Sequence, residues 1–244
     1  MSGAIRLVVG LGNPGKEYER TRHNAGFWLL ERFAQHSGVA LRKDAKYQAL
    51  VGRLEHNGAW LVLPQSFMNA SGRAVQMLGG FFKIAPAEIL VVHDELDFSP
   101  GTAKLKQGGG IAGHNGLRDI SQRLGSHDYW RLRLGIGHPG DKHAVADYVL
   151  QKPSAEDRTA IDEAIARGIE ILPLCLAGDL QGAMQKLHSV EKEKREKPVE
   201  KKTEPAKTAT KPGPRSEPQP ETKVEPKPEP EKKGLFGSLF GKKK

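Results

Sequence analysis

The sequence predicts a single α/β domain with a mixed central sheet flanked by helices, followed by a disordered C-terminal tail. Two uninterrupted apolar runs, at residues 7–9 and 89–92, are typical of strands buried on both faces of a sheet. Strand-like and helix-like segments alternate along the first 190 residues, with one hairpin signal among them. After Val190 the composition changes to Lys, Glu and Pro, and residues 191–233 contain no aromatic side chain.

The charge of the chain divides unevenly between these two parts. The 244 residues carry a net charge of +9, of which residues 191–244, with 16 basic and 10 acidic side chains, contribute +6. We therefore expect a folded domain over residues 1–190 with a net charge of +3, and a tail over 191–244 that buries too little apolar surface to fold. A nucleic acid bound by the domain would have to contact a local basic patch rather than an overall positive field.

Other sequence features limit the class of protein. The only cysteine, Cys175, excludes an internal disulfide and a cysteine-built metal cluster. No apolar run reaches membrane-spanning length, and the N-terminus lacks the pattern of a signal peptide. We expect a cytoplasmic protein without a membrane span.

The first predicted strand ends in a glycine-rich loop. Glycines at positions 10, 12 and 15 fit the G-x-G-x-x-G pattern of dinucleotide-binding proteins. That pattern requires a helix to begin at the glycines, which Pro14 prevents, and the expected acidic residue after the next strand is missing. The spacing favours instead a loop and then a helix over residues 25–37, ended by Gly38.

A hairpin and a helix are predicted next. Asn57-Gly58 between two strand-like runs predicts a hairpin formed by residues 48–54 and 59–63. Ser71 is expected to cap a helix that reaches about Lys83, with Val75, Leu78 and Phe82 facing inward.

Polar groups follow the second apolar run directly, at His93, Asp94 and Glu95, where they need either solvent or a functional role. A strand over 102–106 then leads to a segment rich in glycine, 108–113, whose backbone can approach a ligand closely. The helix predicted over 116–124 begins where backbone N–H groups could meet an anion, and a strand follows over 130–136.

Two helices complete the predicted domain. Ser154 to Asp157 resembles a capping box and opens a helix with an apolar stripe, which Pro173 is expected to kink or end. A short final helix begins at Asp179.

The candidate catalytic residues are His23 and Asp94. Chemistry in open α/β sheets gathers at the carboxyl ends of the strands, and each residue follows one of the two apolar runs. A carboxylate beside one ring nitrogen fixes the tautomer of a histidine and keeps the other nitrogen available as a base. Taken singly, the histidine could be a capping or surface residue and the aspartate a turn residue. H-x-x-x-H, D-x-D and G-x-S-x-G patterns are missing, so we expect no metal and no serine nucleophile of that kind.

Three asparagines are candidate binding residues. Asn13, Asn69 and Asn115 all lie in turn-prone, glycine-flanked settings. They either complete turns through their side chains or offer carboxamide groups to a polar ligand or a developing oxyanion.

Two basic and two aromatic residues could likewise have either a structural or a binding role. Lys106 and Arg133 are either solvated strand charges or a phosphate clamp beside the glycine-rich segment. Tyr18 and Phe67 belong either to the core or to a stacking surface, and their spacing does not decide.

Six loop motifs resemble, in order and spacing, the bacterial peptidyl-tRNA hydrolase family: GLGNPG, TRHNAGF, QSFMNASG, HDELDFSPG, GGGIAGHNGL and RLRLGIGHPG. The resemblance extends from about Leu7 to about Leu187 and leaves out the tail. It implies an esterase that frees peptide from tRNA at the terminal ribose, built as a monomer with no metal and no cofactor. A catalytically silent RNA-binding relative on the same scaffold is the alternative, and a nucleotide-dependent oxidoreductase is disfavoured by Pro14.

The resemblance also implies roles for single residues. His23 takes the place of the catalytic base and Asp94 that of the acid that supports it, while Asn13 distinguishes blocked from free aminoacyl groups. The implied contacts with substrate are Tyr18, Phe67, Asn69 and Asn115, and the residues implied to hold the 5′ phosphate of the tRNA are Lys106 and Arg133.

The end of the tail contains two Leu-Phe pairs, at 235–236 and 239–240, followed by three lysines. Helical spacing would place both pairs on one face beside the cations, which is typical of a weak contact with a partner or a membrane surface. The richness in glycine favours a disordered end instead.

Overall fold

The structure, a computed structural model, describes residues 3–196. Within this range the chain forms seven strands and six α-helices. The strands are β1 (Leu7–Gly10), β2 (Arg42–Asp44), β3 (Ala49–Arg53), β4 (Trp60–Pro64), β5 (Ile89–Glu95), β6 (Ala103–Gln107) and β7 (Trp130–Gly135). The helices are α1 (Ala25–His36), α2 (Gly72–Phe81), α3 (Asn115–Leu124), α4 (Val145–Val149), α5 (Ala155–Ala177) and α6 (Leu180–Glu196).

The strands form one sheet in the order β2-β3-β4-β1-β5-β7-β6. β4, β1, β5 and β7 run parallel, whereas β3 and β6 are antiparallel to their neighbours, so the predicted mixed sheet is confirmed. Both faces of β1 are covered: Val8 packs in the cluster that includes α1 and α5, and Leu7 and Val9 pack in the cluster that includes α2 and α3. The carboxyl ends of the parallel strands therefore share one edge of the sheet, and this edge carries the site.

The predicted hairpin is confirmed, but two neighbouring details differ. A short strand, β2, pairs with β3 and was not predicted. Ser71 does not cap α2, because a 3₁₀ turn over Met68–Ala70 runs directly into the helix and leaves Ser71 itself helical. Its hydroxyl donates to the Met68 carbonyl, and the Gly72 N–H donates instead to Asp119 of α3 (2.7 Å).

Both of the last helices are longer than expected. α5 does not end at Pro173 but continues to Ala177, since Leu172, Cys175 and Leu176 on the same turns are buried in the core. Burial raises the pKa of the Cys175 thiol to about 12, which agrees with its expected role as a core residue. α6 begins after Asp179, as predicted, but it is not short.

α6 reaches Glu196, six residues beyond the boundary expected at residue 190. Lys and Glu have good intrinsic helix propensity, so a helix that starts on packed apolar residues can continue into this charged sequence. The remainder of the expected tail, including both Leu-Phe pairs, lies outside the described residues. No helix within residues 3–196 is long and apolar enough to cross a membrane.

Candidate active site

His23 and Asp94 meet at the carboxyl edge of the sheet. His23 lies in a 3₁₀ turn (Arg22–Asn24) at the start of α1, and Asp94 lies near the end of the neighbouring strand β5. The turn is held against the sheet because Gly26 allows close approach: a methyl group there would lie 2.3 Å from the Val92 carbonyl oxygen. As a result the Nδ1 atom of His23 lies 2.9 Å from each carboxylate oxygen of Asp94.

The surroundings of the pair determine its protonation. Burial by itself lowers the pKa of His23, but the charge of Asp94 and the hydrogen bond to it outweigh this effect, so the pKa of His23 is raised above its ordinary value. Burial works against the charged form of Asp94 as well, yet the two imidazoles of His23 and His114 hold the pKa of Asp94 well below its ordinary value. The carboxylate is therefore ionised, and it accepts the Nδ1 proton of His23 and leaves Nε2 available.

A second imidazole, His114, contacts the same carboxylate and was missed by the sequence reasoning. Its Nδ1 atom caps α3 by accepting the backbone N–H groups of Gly116 (3.1 Å) and Leu117 (3.4 Å). A nitrogen that accepts these bonds carries no proton, so the ring proton is on Nε2, which donates to Asp94 Oδ1 at 3.1 Å. The position before a predicted helix was the one signal in the sequence that could have indicated this residue.

The same three side chains satisfy a simple distance criterion for a metal site. One donor atom each from His23, Asp94 and His114 lies within 4.8 Å of the others. A metal ion would need an unprotonated nitrogen of His114 as its ligand. Nδ1 is unprotonated but is engaged in capping α3, and Nε2, the nitrogen beside Asp94, carries the ring proton. The geometry favours a hydrogen-bonded cluster centred on one carboxylate over a set of metal ligands.

Asn13 is fixed so that it presents a donor. Its backbone N–H and C=O bind the side chain of Asn24 (2.8 and 2.9 Å), a positioning residue that the sequence did not reveal. Its own side-chain oxygen accepts the Met68 N–H at 2.7 Å. Because the oxygen is engaged, the NH₂ group of Asn13 remains to bind a ligand, and it can bind only an acceptor.

The structure brings most of the predicted binding residues into one cleft of about 270 Å³ beside His23. Tyr18 and Phe67 stand edge to face in it, with ring centroids 6.1 Å apart, so neither belongs to the core. Ala146, Val149 and Leu150 give the cleft an apolar wall. The cleft is also lined by Asn13, Met68, Asn69 and Asn115.

A larger cavity of about 460 Å³ adjoins the cleft at His23. His93 lines this cavity. Its Nδ1 atom donates a hydrogen bond to the Asp94 carbonyl (2.7 Å), while its Nε2 atom has no partner among the described residues. Burial lowers the pKa of His93 well below its ordinary value, and the neighbouring imidazole of His114 lowers it further, so this ring stays neutral. His93 therefore packs as an uncharged group behind the Asp94 carboxylate.

Lys106 and Arg133 lie elsewhere, on the β6–β7 edge of the sheet, and neither lines the cleft or the cavity. The strand register places Lys106 opposite Arg131 and Arg133 opposite Lys104, so four cations share one face. Lys104 and Arg131 were not predicted, because their part in this group depends on strand pairing.

The four cations differ in how they are held. Arg131 is buried and donates to the carbonyls of Gly108 and Gly110 in the glycine-rich segment. Arg133 binds the buried Glu95 through Nε (2.8 Å) and stacks on Phe98, which leaves its two terminal nitrogens without a partner in the described structure. We refer to Lys104, Lys106, Arg131 and Arg133 as the basic edge.

The arrangement defines a class of protein. No serine, threonine or cysteine lines the cleft or the cavity within residues 3–196, whereas a histidine oriented by a buried carboxylate faces both. A histidine held in this way beside an open cleft of a mixed-sheet α/β domain is suited to general-base activation of water, which is the chemistry of one class of hydrolases.

Comparisons with known proteins identify the family. The family model described as peptidyl-tRNA hydrolase matches residues 7–197. A peptidyl-tRNA hydrolase of Thiobacillus denitrificans is 56% identical over 184 residues, covering 75% of this chain and 90% of that protein. One from Neisseria meningitidis serogroup A is 54% identical over 191 residues, covering 78% of this chain and 100% of that protein. The crystal structure of peptidyl-tRNA hydrolase from Acinetobacter baumannii superposes with a TM-score of 0.73 at 45% identity, covering 75% of this chain and 94% of that one. The chain belongs to the peptidyl-tRNA hydrolase family.

Proposed function

We propose that this protein hydrolyses the ester bond between a peptide, or an N-blocked amino acid, and tRNA, and so returns both to translation. The observation that carries the proposal is the His23–Asp94 pair at 2.9 Å, with the second imidazole nitrogen left open at the cleft. A silent RNA-binding relative would not need a buried, ionised carboxylate held between two imidazoles, since burying such a group without a role is costly.

The proposed base is His23. Its Nε2 atom takes a proton from a water molecule as the water oxygen attacks the ester carbonyl, and Asp94 stabilises the imidazolium that forms. When the tetrahedral intermediate collapses, the same nitrogen returns the proton to the departing ribose oxygen. General-base assistance of this kind contributes a factor of roughly 10² to 10⁴ to the rate.

The oxyanion of the tetrahedral intermediate needs a hydrogen-bond donor from the protein. Asn69 lies in the 3₁₀ turn before α2 and faces the same cleft as His23, which supports it in this role. Loss of one donor of this type costs roughly 3 kcal/mol in the barrier.

Asn13 supports selection of blocked substrates. Because the Met68 N–H binds its side-chain oxygen, the NH₂ group of Asn13 is the group presented to a ligand. It can donate a hydrogen bond to the carbonyl of a preceding peptide bond or of an N-acyl group, but not to a free ammonium group, which is itself only a donor. A free aminoacyl-tRNA would place a cation against this donor, and the protein would reject it.

The other members of the cleft complete the binding surface. Tyr18 and Phe67 offer aromatic faces and Asn115 a carboxamide, all within the same cleft as His23. Apolar groups of the ester can pack on the rings while the polar backbone meets the amide.

The basic edge is proposed to hold the 5′ phosphate of the tRNA through Lys106 and Arg133. The free terminal nitrogens of Arg133 suit a phosphate, and Glu95 and Phe98 hold the guanidinium in place. Lys106 is exposed on β6, the strand next to β7, and lies on the same face of the sheet as Arg133. It can therefore supply a second positive charge to the phosphate.

We propose further that the protein acts in the cytoplasm, where peptidyl-tRNA is formed, and as a monomer without a cofactor. The tail is proposed to add only a weak contact with a partner or a membrane surface through its Leu-Phe and lysine end.

The test is ester hydrolysis by the purified full chain with no added nucleotide or metal. N-acetylated aminoacyl-tRNA should lose its ester bond, and the same aminoacyl-tRNA with a free amino group should not. Binding of tRNA without ester loss would overturn the proposal in favour of the silent relative. Activity restricted to the free aminoacyl form would contradict the role of Asn13.

A further inference from the structure

Arg22 is a buried arginine next to the catalytic base. It shares the 3₁₀ turn with His23, and its side chain is only 8% exposed. Its guanidinium binds four groups from one segment of the chain: the carbonyls of Tyr148 (3.5 Å), Gln151 (3.4 Å) and Lys152 (3.0 Å), and the carboxylate of Asp157 (3.3 Å).

The segment bound by Arg22 is attached at both ends. The Arg22 backbone N–H donates to the Gln151 carbonyl at 3.1 Å, and the guanidinium lies over the Tyr148 ring at 4.1 Å. The hydroxyl of Tyr148 reaches back to the Ile136 carbonyl at 2.8 Å, at the point where β7 has ended. One arginine and one tyrosine thus hold residues 136–152 as a strap over the edge of the sheet.

The strap forms the apolar wall of the cleft. Val149 lines both the cleft and the larger cavity, and Leu150 faces the cleft although it is 43% exposed. Phe67 lines the same cleft and is 60% exposed. Two large apolar side chains that line one cleft and are open to solvent are available to pack on an apolar group of a ligand.

We infer that Arg22 is a positioning residue that shapes the cleft by holding Leu150 in the lining that it shares with Phe67. The group that packs on these two side chains is the apolar side chain of the amino acid esterified to the tRNA. This inference rests on the proposed function, because the ester carbonyl must lie at His23 for the adjoining side chain to reach Leu150. The strap then helps to select the substrate, and it affects substrate binding (KM) more than the chemical step (kcat).

The choice of arginine at this position has a physical reason. A planar guanidinium donates several hydrogen bonds in fixed directions, so it can bind three carbonyls and one carboxylate at the same time. In Arg22 the Nη1 atom reaches all three carbonyls while Nη2 binds Asp157. A lysine retains the charge, but its side chain ends one atom earlier, where the central carbon of the guanidinium lies, so its single ammonium nitrogen cannot occupy both of these positions. Arg22→Lys therefore loosens the strap without leaving an uncharged cavity.

The experiment measures KM and kcat for two probes, N-acetylphenylalanyl-tRNA and N-acetylglycyl-tRNA. For Arg22→Lys we expect KM to rise roughly tenfold on the phenylalanyl probe, to change little on the glycyl probe, and kcat to stay within about twofold on both. Leu150→Ala should give the same pattern, and adding Arg22→Lys to Leu150→Ala should have little further effect, because both changes act on one contact.

Asp157→Asn is the matched control, since it removes the partly exposed ion pair and keeps all three carbonyl bonds. It should behave like the wild type on both probes. If Arg22→Lys fails to fold, Leu150→Ala still carries the test, because an exposed side chain can be shortened without affecting folding.

Three results would overturn the inference while the wild type remains active. These are an equal rise in KM on both probes, a fall in kcat alone, or a Leu150→Ala variant with an unchanged ratio of KM between the probes. A wild type that hydrolyses neither probe would contradict the proposed function itself, so the two failures are distinguishable.

Discussion

Two regions of the same sheet, the corner that holds Asn13, His23 and Asp94 and the basic edge, are built in opposite ways. At the corner, the polar atoms of Asp94 are buried and bound by two imidazoles, and Asn13 is fixed by Asn24. At the basic edge, Lys106 is exposed and Arg133 keeps two nitrogens free.

The difference follows from the work proposed for each region. A general base must be held in one geometry in a dry setting, where hydrogen bonds fix its tautomer and its protonation. A phosphate-binding surface works through charge, tolerates mobile side chains and is screened by salt. Substitutions at the corner should therefore change kcat and its pH dependence, whereas substitutions at the edge should change KM and its salt dependence.

The largest effect is expected from His23→Ala. Removing the base should lower kcat by roughly 10³-fold, within the range for general-base assistance, and leave the affinity for tRNA unchanged. Single-turnover hydrolysis and tRNA binding would be measured on the same preparation. A variant that retains near wild-type turnover would exclude His23 as the base.

Asp94→Asn should have the next largest effect, a fall in kcat near the lower end of about 10² to 10⁴, because the residue supports the base and does not take the proton from water itself. The charge of Asp94 and its hydrogen bond raise the pKa of His23, and without them only burial, which lowers that pKa, remains. Since the base must be unprotonated, the acid limb of the kcat/KM profile should move to lower pH in the variant. An acid limb at the wild-type position would count against the pairing.

Lys106→Ala and Arg133→Ala should each raise KM roughly tenfold through loss of one charge-assisted contact, with kcat nearly unchanged. The effect should disappear on tRNA without its 5′ phosphate and should weaken as salt is added. Lys43→Ala is the matched control, because Lys43 is exposed on β2, at the opposite edge of the sheet. An equal rise in KM for Lys43→Ala would show that the lysines attract RNA in general and that Lys106 and Arg133 do not hold the 5′ phosphate specifically.

The sequence allowed more of the fold than of the site to be predicted. Apolar runs at Leu7–Val9 and Ile89–Val92 and the Asn57-Gly58 turn carry their own structural information, so the sheet and its hairpin were predicted correctly. The motifs placed His23 and Asp94 as candidates, since both follow the central strands.

Side chains that act through contacts between distant segments could not be predicted. His114, Asn24 and Arg22 acquire their roles only when separate loops meet, and Arg131 only when β6 pairs with β7. β5 continues through His93, Asp94 and Glu95 and buries all three, which pattern reasoning does not anticipate because charged residues are seldom buried unless they are paired. Here the partners exist, but they come from other elements.

The most direct test of the central claim is an NMR titration of the His23 imidazole in the wild type and in Asp94→Asn, without substrate. A base supported by a buried carboxylate should titrate above the ordinary histidine value in the wild type, and below its wild-type value once the carboxylate becomes an amide. The same pKa in both proteins would contradict the account, because Asp94 would then have no influence on the protonation of His23.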